Sequence, residues 1–283
     1  MIRLGMLAGA VAIASIGVGS ASAQQALVER GGYLVNTIMT CNNCHTPIGP
    51  KGPDFSRALS GGLTFDEPPF KVTAANITQD KDTGIGKWSA ADIKKLMRTG
   101  VRPNGVPTAP AMPTSFYGII TEPDMNAIVA YLRTVKPIKN KVPDPVYKIQ
   151  IPFHSFPGAE KPMPQADFKD PVKRGFYLAT IGHCMECHTP FVNGHQDFAG
   201  SLGKGGREFP GPWGKSVSRN ITSDKEAGLG GWTDAQIKDA ITKGVHKDGT
   251  KLKPPMGFGY YAKMKDSDLN DVIAYLRTVP PKH

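Results

Sequence analysis

Two pentapeptides, Cys41-Asn42-Asn43-Cys44-His45 and Cys184-Met185-Glu186-Cys187-His188, contain every cysteine in the chain. Cys-x-x-Cys-His is the attachment pattern of a covalent c-type haem. On a helical turn, thiols at i and i+3 share a face and can add to the two vinyl groups of one porphyrin. The next residue is an imidazole placed beside the ring centre, where it can bind iron. Two copies imply two haem c groups and two irons, held by Cys41, Cys44 and His45 and by Cys184, Cys187 and His188. Other uses of Cys-x-x-Cys account for less. A redox dithiol would not need the histidine, and a four-cysteine zinc site would have to join pairs 143 residues apart, far outside zinc-ribbon spacing. A disulfide framework would leave the repetition of the flanking sequence unexplained.

Iron held by one histidine has a second axial position, and its occupant separates electron transfer from ligand chemistry. The chain is an internal duplication, so equivalent sites should repeat equivalent ligands. Arg30-Gly31-Gly32-Tyr33-Leu34 matches Arg174-Gly175-Phe176-Tyr177-Leu178, and Asn76-Ile77-Thr78 matches Asn220-Ile221-Thr222. Trp88 matches Trp232, and Ala130-Tyr131-Leu132-Arg133-Thr134-Val135 recurs identically from Ala274; all keep an offset of 144. Of the ten methionines only Met112 and Met256 coincide at that offset. Both lie in stiff Pro-containing segments, where a thioether can be held against iron. Met97, Met125 and Met264 face Ile241, Leu269 and Ile120 in the other copy and read as core. His154, His195, His246 and His283 have no repeated partner and are expected at the surface, with His183.

Three helix signals position these groups in each half. The first helix precedes the haem motif with Leu27, Gly31, Leu34 and Ile38 on one face. A second is capped at Ser89 and at Thr233, with Trp88 or Trp232 able to staple onto Ile93 or Ile237, and Gly100 or Gly244 as its stop. The last has Met125, Ile128, Val129 and Leu132, or Leu269, Val272, Ile273 and Leu276, at helical spacing. No segment of similar length alternates like a strand, so the fold is expected to be all-α. Trp88 and Trp232 could instead donate indole N–H groups to haem carboxylates. Asn76 and Asn220 match the glycosylation pattern, but their repetition beside the tryptophans fits a loop folding around the haem better.

Residues 1–23 read as a cleavable export signal: Arg3, an apolar stretch, then Ala21-Ser22-Ala23. Cleavage would leave 260 residues, directed to the periplasm and with no segment expected to span a bilayer. Residues 24–136 form a first domain, 137–171 a linker with eight prolines, and 172–283 a second domain. Tyr147, Ile149, Ile151, Phe153 and Phe156 give that linker apolar groups able to pack on both domains. The net charge of +10 is spread along the chain without a basic run, so no nucleic-acid partner is expected.

Together these features resemble the class I cytochromes c, in tandem, and over nearly the whole mature chain. Asn76-Ile77-Thr78 through Asp80, Lys81, Gly84, Ile85, Gly86 and Trp88, with its copy ending at Trp232, resembles the cytochrome subunits of periplasmic alcohol, aldehyde and sugar-acid dehydrogenases. That likeness implies a first and last helix crossing at Gly31 with Tyr131 and at Gly175 with Tyr275. It further implies single-electron transfer rather than catalysis, from a dehydrogenase or other redox donor to a downstream cytochrome or oxidase. Many such subunits carry three haems and a C-terminal anchor, whereas two motifs stand here. The competing function is a dihaem enzyme, peroxidase-like or thiosulfate-oxidising. The first needs an openable iron and the second a spare cysteine ligand, and no cysteine is left over.

Overall fold

The structure, a computed structural model, describes residues 16–50, 52–211 and 213–283. Most of the expected leader, residues 1–23, lies outside the described residues. In the first half, α1 (Ile16–Tyr33) runs into a π-helical turn, Leu34–Ile38, followed by α2 (Asn42–His45), α3 (Ala90–Thr99) and α4 (Glu122–Leu132). The second half has α5 (Pro171–Ile181), α6 (Cys184–His188), α7 (Asp234–Lys243), α8 (Phe258–Tyr261) and α9 (Asp266–Leu276).

The frame is helical, but a wholly α description is too narrow. Hairpins β1–β2 (Ile48–Gly49, Gly52–Pro53) and β3–β4 (Thr64–Glu67, Phe70–Thr73) leave the first haem motif, and β5 (Val146–Tyr147) adds to the second of them. Their copies are β6–β7 (Phe191–Val192, His195–Gln196) and β8–β9 (Glu208–Gly211, Gly214–Val217). Strands of two to four residues are too short to display a clear period of two, and only β4, with Phe70 and Val72, alternates between buried and more exposed positions, while β8 alternates between exposed and half-buried ones.

The capping signals act as their residue types require. Ser89 accepts the amide of Asp92 while the Asp92 carboxylate takes the Ser89 amide, and Thr233 and Gln236 do the same. Gly100 and Gly244 end these helices at φ of 66° and 61°. The glycine crossings have a steric cause. A Cβ on Gly31 would sit 1.9 Å from the Ala127 carbonyl oxygen and 2.7 Å from Tyr131 Cβ, and one on Gly175 would sit 1.8 Å from the Asp271 oxygen. Only hydrogen lets α1 meet α4, and α5 meet α9, at that distance.

One apolar core runs through both halves. The halves also exchange a hydrogen bond: Tyr33 donates to Asp268 at 2.6 Å, and its copy Tyr177 donates to Asp124, the copy of Asp268, at 2.7 Å. Each carboxylate is buried and paired within its own half, Asp124 with both arms of Arg30 at 2.8 Å and Asp268 with Arg174. The linker adds Phe156, 3% exposed, which stacks on Phe116 at 4.7 Å and meets Phe198 edge-on at 5.0 Å. Ile149 and Phe153 stay exposed.

Candidate functional site

Each haem motif follows a residue in the left-handed region, Thr40 at φ 48° and His183 at φ 45°. That turn reverses the chain between the long first helix and the short motif helix. The two imidazoles are then fixed identically: His45 Nδ1 lies 2.6 Å from the Ala75 carbonyl and His188 Nδ1 lies 2.6 Å from that of Arg219. A carbonyl can only accept, so Nδ1 carries the proton and Nε2 keeps its lone pair, as an iron ligand requires. Burial holds both rings in the neutral form, with pKa below the ordinary histidine value. Burial also pushes the Cys41 and Cys44 thiols up to about 12 and Cys184 to about 11. A redox dithiol needs the opposite shift.

The backing of the motifs differs. Asn42 donates to Asn36 at 2.7 Å, Asn36 to the Tyr131 hydroxyl at 2.8 Å, and Thr46 to Asn42 at 2.7 Å. In the second half Met185, 2% exposed, replaces Asn42 and packs into the core. Sequence reasoning passed over Asn36 and the Tyr–Asp exchange, because neither belongs to a motif.

All four cysteines, His45, His188, Met112 and Met256 line one continuous cavity of about 2950 Å³, to which Trp88, Trp232, Asn76 and Asn220 also contribute. That is roughly three times the upper size of an ordinary small-molecule pocket. The first motif reaches the second half: Asn43 donates to the Pro255 carbonyl, next to Met256, at 3.2 Å. Thiols, imidazoles with a free Nε2 and thioethers around a mainly apolar space suit a covalently held haem.

Asn76 and Asn220 hold loops rather than offering a polar group to the cavity. Asn76, 2% exposed, accepts from the Thr78 amide at 3.0 Å and hydroxyl at 2.7 Å and donates to the Ile138 carbonyl at 2.7 Å. Asn220 repeats this with Thr222 and the Lys282 carbonyl. Each thus ties a cavity loop to the segment leaving the last helix, and at Asn76 the burial leaves no room for a glycan. Trp88 and Trp232 pack on the core, their carbonyls held by Arg133 and Arg277. His154, His195 and His283 are exposed, as expected. His246 and His183 are not: His246 packs edge-on to Trp232 at 4.7 Å, 15% exposed, and His183 pairs with Glu186 at 3.0 Å, 20% exposed. Both adjoin the cavity, whose walls a lone histidine in the sequence does not reveal.

A family profile described as cytochrome c matches residues 28–136 and again 172–280. The chain is 29% identical, over 97% of its length, to the cytochrome c subunit of a quinone alcohol dehydrogenase from Gluconobacter oxydans (strain 621H), and covers 60% of that protein. It is 32% identical, over 92% of its length, to the gluconate 2-dehydrogenase cytochrome c subunit of Pantoea cypripedii, covering 61%. A diheme cytochrome c-type protein of Cereibacter sphaeroides is 29% identical over 85% of the chain, with 82% of that relative covered. The chain therefore spans about three fifths of the two dehydrogenase subunits. Among the described residues no helix is long and apolar enough to cross a membrane.

Proposed function

The chain belongs to the cytochrome c family through two tandem domains, and from that premise we propose that it is a periplasmic dihaem carrier passing single electrons from a dehydrogenase to a downstream respiratory acceptor. Cys41 and Cys44 hold one haem and Cys184 and Cys187 the other. His45 and Met112 would hold the first iron, and His188 and Met256 the second. When bound, such a group supplies one-electron oxidation and reduction at iron.

The protein's part is to hold the ligands still. The Ala75 and Arg219 carbonyls fix the imidazole tautomers, and the Asn76 and Asn220 anchors pin the loops that lead from those carbonyls. The segments around Met112 and Met256 are stiffened by Pro110 and Pro113 and by Pro254 and Pro255. Histidine and methionine together would raise the reduction potential of such a group. One observation carries this function: two complete sets of Cys, Cys, His and Met line one cavity at equivalent positions of a duplicated chain. The dehydrogenase as donor is supported by relatives that are subunits of such enzymes.

The test is replacement of each methionine. Met112→Ala and Met256→Ala should each lower one of two midpoint potentials and make one iron bind carbon monoxide. Two unchanged spectra, or a mature mass without two haems, would overturn the assignment.

A further inference from the structure

The cavity-lining loops of the two halves, taken as a first and a second mouth, carry different charge, although they align in sequence without a gap. After the middle helix each half makes the same bridged turn, Val101 to Pro107 and Val245 to Lys251. At four equivalent positions the first half has Ala75, Pro103, Pro107 and Ala109, where the second has Arg219, Lys247, Lys251 and Lys253. These four cations are exposed and line the cavity. Among the described residues none of them meets a carboxylate at salt-bridge distance.

The surrounding charges do not cancel this. In the equivalent hairpins Asp66 is paired with Lys71 and Glu208 with Lys215. Glu67 adds an exposed acid to the first mouth where the second has Gly211. The second mouth has Asp248, which faces His246 at 2.9 Å, Glu186, which pairs with His183 at 3.0 Å where the first half has Asn43, and Glu226, whose copy is Asp82. In the other direction, Arg102 of the first mouth corresponds to His246. Exposed apolar side chains rim both mouths, Ile149 and Phe153 at the first and Phe191 and Val217 at the second. Charge therefore distinguishes the two mouths and apolar surface does not.

We propose that the second-domain mouth is the docking face for an acidic partner protein, and that the first mouth meets a partner without strong charge. This rests on the electron-transfer function above. An apolar patch ringed by lysines that meet no carboxylate, Lys247 lying over the Trp232 ring at 5.5 Å, suits a transient contact, in which charge accelerates encounter and apolar surface seats the partner.

The mature, haem-loaded protein is compared with the triple variant Lys247→Gln/Lys251→Gln/Lys253→Gln and with a control of equal charge loss, Lys161→Gln/Lys169→Gln/Lys263→Gln, at exposed sites away from the cavity. Stopped-flow electron exchange is measured with anionic hexacyanoferrate and cationic hexaammineruthenium across ionic strength. The mouth variant should react with hexacyanoferrate about tenfold more slowly at low salt, the difference shrinking as salt rises. Its rate with hexaammineruthenium should not fall, and both potentials should stay in place. Poly-L-glutamate should compete with hexacyanoferrate on the parent and not on the mouth variant. Equal slowing by the two triples would overturn the docking face. A shifted potential in the mouth variant would also do so, by assigning the lysines to the cofactor. Failure of the parent to exchange electrons with either probe would instead remove the underlying function.

Discussion

Replacing Gly175 by alanine tests whether the helix crossing is as tight as it looks. The new Cβ would lie 1.8 Å from the Asp271 carbonyl oxygen, 2.5 Å from its carbon and 2.9 Å from Tyr275 Cβ. Carbon and oxygen settle at about 3.3 Å even in close backbone contacts, so α5 and α9 must part by roughly 1.5 Å. A gap of about 1 Å already forfeits up to about half of each dispersion contact. Tyr177, Leu178, Val272, Ile273 and Leu276 are the buried side chains in that seam. The cost falls at the upper end of the overpacking range, about 3 kcal/mol. Alanine returns about 1 kcal/mol of helix propensity, leaving a net loss of about 2 kcal/mol. For a chain of this size that is a fall of about 4–8 °C in Tm, read by circular dichroism on the haem-loaded protein. Gly259→Ala is the control, since its Cβ meets nothing within 4 Å in α8, and it should hold or raise Tm. If Gly175→Ala melts with the control, the crossing has slack and the steric account of this glycine is wrong.

Other perturbations follow from the same contacts. Asn76→Ala leaves the Thr78 amide without a partner in a buried loop and the Ile138 carbonyl with the Thr78 hydroxyl alone, and should cost about 2 kcal/mol by denaturant titration; Asn220→Ala should cost less, its site being more open. Tyr177→Phe deletes one half of the reciprocal hydrogen bond while Arg30 still satisfies Asp124. About 1–2 kcal/mol should go, and an unchanged midpoint would show that the exchange contributes nothing. Phe156→Ala empties a site shared by Phe116 and Phe198 and should cost about 3–5 kcal/mol. It should also split thermal unfolding into two calorimetric steps, whereas one sharp step at the parent temperature would contradict a bridging role.

The parts of this fold legible in the sequence are those fixed by local chemistry or repeated spacing. Cys-x-x-Cys-His names its cofactor, Ser89 and Thr233 cap helices through atoms three residues away, and Gly31 and Gly175 mark crossings by their lack of a side chain. The duplication adds what one copy could not: among ten methionines it points to Met112 and Met256, and the structure places both in the cavity wall. The hairpins stayed hidden because their strands are too short for a period, and because loop backbone around a flat cavity pairs wherever it runs antiparallel. His246 and His183 are covered by neighbours of their own half, Trp232 and Glu186, that no sequence pattern pairs with them, whereas the meeting of the two motifs in one cavity depends on how the halves dock. That docking is set by Phe156 and by tyrosine–carboxylate pairs 235 and 53 residues apart, separations no local pattern encodes.

The crossed tyrosines make each half contact the other through matching residues, as two identical molecules related by a two-fold axis would. In such a pair of identical chains, any substitution would appear twice, once on each side. A single polypeptide with the same geometry escapes that constraint, and this one has used the freedom: asparagine opposes Met185, and proline and alanine oppose lysines. Tethering the copies thus turns a symmetric assembly into one whose ends can evolve apart.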